Sequence, residues 1–155
     1  MGGRILSLWR RLEPLPFGTR IFSFLLGRMV PYTGTIRPRV LELEPGRVKA
    51  EMADRRRVRN HLDSVHAIAL ANLGELVTGL ATITALGDGG RGIAVHFEVD
   101  YRKKARGTMR AECETDLPGS LDEPLDHVAR GIIRDEDGDV VAEVRATWRL
   151  APRSK

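Results

Sequence analysis

Hydrophobic and polar positions change period several times along the chain, and each change marks an element. Residues 3–12 and 17–30 carry apolar positions at helical spacing, are split by Pro14 and Pro16 and are closed by Pro31, so two short amphipathic helices are predicted. From Thr35 the period becomes two. Residues 35–44 alternate, Pro45-Gly46 is a turn signal, and residues 47–54 alternate again, which predicts a hairpin. Residues 64–86 then form a long apolar helix candidate without Lys or Arg, stopped by the glycine-rich run at 87–92. Strands are predicted at 93–103, 108–116, 125–135 and 140–150, the last pair joined at Asp137-Gly138, where glycine takes a positive φ without steric cost.

Two strands, one long helix and four strands describe an α+β architecture with an antiparallel sheet. A helix that is apolar all round has to be covered on most sides, so a curved sheet wrapped around it is expected, with a second copy completing the enclosure. The helix is also long enough to span a bilayer of roughly 30 Å. His66, Asn72 and above all Glu75, near mid-span, argue against that reading, and no transmembrane segment is expected.

Composition narrows the picture further. With 155 residues, 42% hydrophobic and 30% charged, the chain suits one soluble domain with a real core. The single cysteine, Cys113, cannot form a disulfide within the chain, and charge interrupts the first residues before a signal-peptide core develops, so the cytoplasm is the expected compartment. The net charge of +4 suits a phosphate-bearing partner. Its local concentrations, Arg55-Arg56-Arg57 with Arg59 and Arg102-Lys103-Lys104 with Arg106, lack interleaved aromatics, so nucleic acid is not expected as a partner. In the second helix Arg20 and Arg28 sit among aromatic and aliphatic residues. Packing on the domain or a neighbouring subunit is the favoured reading there, and a membrane-surface segment or a lid over an acyl chain is the sharper one.

The long helix carries the candidate chemistry. Asp63 or Ser64 is the expected N-cap, leaving unsatisfied N–H groups near Val65, His66 and Ala67. With the positive end of the helix dipole, these form a site for a developing oxyanion. Glu75 lies among Leu73, Gly74, Leu76 and Val77, where desolvation would raise its pKa and make it a better base near neutral pH; a salt-bridged or exposed glutamate is the plainer alternative. His66 and Glu75 are nine positions apart, about 900° of rotation and about 13.5 Å of rise, so one chain cannot bring them together. A shared site would place the helix start of one subunit against Glu75 of another, most simply across a twofold axis, with Gly74 and Gly79 allowing close approach.

Asn60, His66, Ala67 and Glu75 at these spacings, in a β-β-helix-β-β-β-β order, resemble the hotdog-fold acyl-CoA thioesterases, in particular the phenylacetate-pathway thioesterase-like group and its DUF4442-like relatives. Residues 101–107 resemble the segment of that family in which an aromatic residue precedes a small-residue turn and a glycine. The resemblance implies a hotdog domain over 35–152 with residues 1–34 as a helical extension, working as a homodimer or a dimer of dimers. It implies that Ala67 N–H polarises a thioester carbonyl, that Asn60 orients the carbonyl or the attacking water, and that His66 shapes the helix entrance. Glu75 of the partner subunit would be base or nucleophile. Lys103, Lys104 and Arg106 lie where the family often meets coenzyme A phosphates, and no metal or cofactor is required. The family's His-Gly-Gly is here His66-Ala67-Ile68; alanine keeps the N–H, and isoleucine narrows the approach if it faces the site. A non-catalytic acyl-CoA or acyl-lipid binding protein on the same fold is the alternative. Cys113 reads as a small buried residue, not a nucleophile.

Overall fold

A computed structural model describes residues 1–117, 121 and 123–152. Helix α1 (Gly2–Leu12) buries Ile5, Leu6 and Trp9 at helical spacing, and α2 (Gly18–Met29) buries Phe22, Ser23 and Leu26. Trp9 meets Phe22 edge-to-face with centroids 5.0 Å apart, which locks the two helices together. Pro31 does more than close α2. It opens a short helix, α3 (Pro31–Gly34), in the first-turn position where its missing N–H costs nothing. That extra turn, with Arg37 at φ 47 and Pro38 after it, delays the first strand to Arg39.

The sheet is built from β1 (Arg39–Glu44), β2 (Arg47–Met52), β3 (Gly90–Tyr101), β4 (Met109–Glu114), β5 (Leu125–Arg134) and β6 (Val140–Pro152). Every pairing is antiparallel and the order is β1-β2-β4-β5-β6-β3. Gly46 (φ 79) and Gly138 (φ 88) make the two predicted turns. Helix α4 (Ala67–Leu86) lies across the sheet, as expected of the hotdog fold. Alternate strand residues, among them Val48, Met52, Met109, Ile133, Val144 and Leu150, are buried beside Leu73 and Val77 of α4. Each such side chain contributes about 1.5–3 kcal/mol of burial. Close packing depends on glycine: a Cβ at Gly74 would overlap Val144 Cγ2, and one at Gly131 would sit 3.2 Å from Val77 Cγ2. The helix that is apolar and long enough to cross a membrane is in this protein a core element, with 72% of its most apolar window buried.

The two edges of the sheet differ. At one, α2 packs beside the short β1, and Ser23 Oγ accepts a hydrogen bond from Val40 N–H at 2.9 Å. At the other, the twelve-residue β3 is bare, with Ile93 66% exposed and Val95 and Phe97 also exposed. Its register with β6 shifts between Ala94 and His96, so its alternation is interrupted there.

Candidate active site

The chain enters α4 through a loop organised by Asn60. Its Oδ1 accepts from Leu62 N–H (2.9 Å), Ser64 N–H (3.3 Å) and Ser64 Oγ (3.2 Å), while its own N–H donates to Ser64 O at 2.8 Å. This turn holds Asp63 at φ 51, so the helix cannot begin there. The N-cap is neither Asp63 nor Ser64 but His66, whose Nδ1 accepts from Ile68 N–H at 3.0 Å. Val65 N–H donates to Ala105 O (2.8 Å) and His66 N–H to Val58 O (2.7 Å), so two of the three donors expected to be unsatisfied are engaged. Ala67 N–H has no acceptor among the described residues, and it sits at the positive end of α4.

Glu75 is two turns further along α4. Burial pushes its carboxyl above the usual carboxylate range, because the charged form loses solvation and no cation among the described residues compensates. Its carboxylate accepts no hydrogen bond and makes no ion pair among the described residues. A Cβ built on Gly79 would lie 3.7 Å from Glu75 Oε1 and 3.1 Å from Trp148 Cζ2, so the carboxylate is on the side of α4 that faces β6. Trp148 pairs across the ladder with Ala94 of the bare strand β3. The eight residues from Ala67 to Glu75 span about 12 Å of helix, so within one chain the donor and the carboxylate stay apart.

The basic loop after β3 lies against the helix entrance, through the Val65–Ala105 bond and Arg106 Nε donating to Asp63 O at 3.4 Å. Its cations are not equivalent. Lys103 Nζ is held by Asp135 Oδ2 (2.9 Å) and Asp139 Oδ2 (2.7 Å), which raise its pKa, while Lys104 is exposed and without an ion pair among the described residues. Arg106 and Arg59 line an open cleft of about 430 Å³ together with Asp54, Asp63 and Glu136. Arg59 binds Asp54 at 2.7 and 3.2 Å. The cleft is therefore of mixed charge.

Asn60, His66, Ala67 and the loop carrying Lys103, Lys104 and Arg106 come together at one end of α4, and Glu75 stands apart. Sequence reasoning missed three residues. The Tyr101 hydroxyl donates to Ala67 O at 2.9 Å, and Trp148 Nε1 and Thr82 Oγ1 are buried without partners among the described residues. Alternation in the last strand carries no signal of an unpaired indole N–H at Trp148. Cys113 is buried, and desolvation pushes its thiol up to about 12, which leaves it unreactive.

Residues 18–150 match the family described as Domain of unknown function (DUF4442). The structural-genomics protein APC5556 is 28% identical, with 97% of this chain and 99% of that chain covered and a TM-score of 0.82. PA5026 from Pseudomonas aeruginosa, described as a protein of unknown function and probable thioesterase, is 25% identical over 90% of this chain and 97% of its own, with a TM-score of 0.76. A thioesterase family protein from Silicibacter pomeroyi shares the fold at 20% identity, 89% and 100% coverage, and a TM-score of 0.71. No curated protein matches the chain.

Proposed function

Because the chain belongs to the DUF4442 family and has the hotdog fold of the thioesterase-like superfamily, we propose that it hydrolyses acyl-CoA thioesters at a site shared between two copies. One observation carries this reading: Glu75 is a desolvated carboxylate with no partner among the described residues, on the side of α4 that faces Trp148 of β6, whose ladder partner lies on the bare strand β3. The description of the Pseudomonas aeruginosa relative as a probable thioesterase supports it.

In this mechanism two β3 edges pair about a twofold axis and bring the α4 entrance of one subunit to Glu75 of the other. Glu75 takes a proton from water as the water oxygen attacks the thioester carbon. The carbonyl oxygen becomes an oxyanion that accepts from Ala67 N–H, oriented by Asn60 through its amide. Collapse of the tetrahedral intermediate breaks the C–S bond. Glu75 returns the proton to the departing thiolate, which leaves free coenzyme A and a carboxylic acid. Lys104 and Arg106 meet the phosphates of coenzyme A, and Lys103 fixes the loop that carries them. The cytoplasm belongs to this proposal, resting on the lone Cys113.

The second reading, an acyl-CoA binding protein without turnover, is favoured by Ile68, which is 54% exposed at the entrance where the family motif has glycine. Release of coenzyme A from a panel of acyl-CoAs separates the two. Turnover by the wild type that falls about 10²–10⁴-fold in Glu75→Gln supports hydrolysis through this carboxylate. Tight binding without turnover supports the second reading. A strictly monomeric protein that remains active overturns the shared site.

A further inference from the structure

We propose that the outward face of α2 docks on an anionic lipid surface. The face is apolar where a helix packed only on its own domain would be polar. Phe17 and Phe24 are 70% and 66% exposed, Ile21, Leu25 and Met29 are exposed beside them, and Tyr32 of α3 extends the patch at 68% exposure. Phe17, Ile21, Phe24 and Leu25 recur every three or four residues and so form one stripe, turned away from the buried Leu26, while Met29 lies at its margin beside Phe22 and Leu26. Phe17 also takes φ 61, a conformation that a phenylalanine rarely adopts, and yet its ring is not buried.

Charge identifies the occupant. Residues 1–37 hold six arginines and one acidic residue, Glu13, while the remainder of the chain has 19 basic and 20 acidic residues, so the whole positive surplus lies in this segment. None of Arg4, Arg10, Arg11, Arg20 and Arg28 makes an ion pair among the described residues. Later in the chain Arg39, Arg59, Arg102, Arg145 and Arg149 each hold a carboxylate and others, such as Arg91 and Arg130, hold none among the described residues, so what distinguishes this segment is its lack of acidic residues. Arg20, which lies 5.8 Å over the Phe17 ring, stands in the first turn of α2, where the helix dipole disfavours a cation and no acidic residue offsets it. Exposed aromatic side chains flanked by unpaired arginines match an interface of acyl chains and anionic headgroups.

A second copy fits this face poorly, because two such surfaces brought together oppose arginine to arginine with only Glu13 to offset them. The face also lies by the β1 edge, at the opposite end of the sheet from the bare strand β3. Docking there leaves β3 and the Glu75 side of α4 uncovered, and the inference stands independently of the thioester reading.

Flotation with vesicles of phosphatidylcholine, alone or mixed with phosphatidylglycerol, tests it. The wild type is expected to float with the mixed vesicles at least about tenfold more than with the neutral ones, and to be released by salt. Phe17→Ser with Phe24→Ser lowers the bound fraction about tenfold or more, and Arg20→Gln with Arg28→Gln removes the preference for phosphatidylglycerol. All four positions are exposed, so circular dichroism and thermal melts should match the wild type. Absence of the wild type from the mixed vesicles, or unchanged flotation of either variant, overturns the proposal. So does a change of oligomeric state in the phenylalanine variant, which would make the face an interface between copies.

Discussion

The Tyr101 hydroxyl donates to the carbonyl oxygen of Ala67 at 2.9 Å, tying the last residue of β3 to the first residue of α4. The preceding peptide presents the Ala67 N–H, which has no acceptor among the described residues, so the clasp holds the residue that carries that donor. Tyr101→Phe keeps the ring and removes the bond, at a cost of about 0.5–1.5 kcal/mol. Faster amide hydrogen exchange at Ala67–Ala69, with a lower kcat for thioester hydrolysis, is the expected result.

Glu75→Gln should stabilise the protein while it lowers turnover about 10²–10⁴-fold. Desolvation raises the folded-state pKa of Glu75 above its ordinary 4.5, so the folded chain holds that proton more tightly than the unfolded chain does. Stability is therefore unaffected below the unfolded pKa and is lost as pH rises toward the folded one. The variant removes that loss. Its Tm should exceed that of the wild type near neutral pH and converge with it in acid; equal melting curves across the range would mean that the carboxylate is not desolvated.

Lys103 and Lys104 should separate in kinetics. Asp135, only 5% exposed, has its carboxyl held below the usual range chiefly by the Lys103 hydrogen bond. A depressed carboxylate pKa stabilises the fold above the unfolded pKa and is lost as pH falls through the folded one. Lys103→Ala should lower Tm near neutral pH, with the difference shrinking in acid, and raise KM for acyl-CoA less than the loss of Lys104 does, because it loosens the loop without removing a cation that meets the phosphates. Lys104→Ala should leave Tm unchanged and raise KM several-fold for acyl-CoA, but not for a thioester lacking the nucleotide phosphates.

Gly74→Ala probes the contact between helix and sheet. The added Cβ meets Val144 Cγ2 in β6, and relieving that overlap should cost about 1–3 kcal/mol. Adding Val144→Ala makes room, so the double variant should recover part of the loss in a denaturant melt. If the two costs simply add, the helix and β6 are not coupled there.

The order of elements was legible in the sequence because each face of a strand or helix is written locally, as a period of two or 3.6 residues. Glu75 was legible for the same reason, being the one charge in an apolar helix. The tertiary structure alone decided what lies opposite each residue. Asp63 and Ser64 are ordinary N-caps by type, but Asn60 Oδ1 gathers the loop and passes the role to His66. Lys103 and Lys104 are indistinguishable in the sequence, yet only Lys103 reaches the β5–β6 turn. Strand β3 has hydrophobic positions much as β4 does, but β4 lies between β2 and β5 while β3 is an edge. Local pattern determines which face of a segment is apolar; whether that face is covered, and by which partner, depends on residues far away in the chain, and those meet only when it folds.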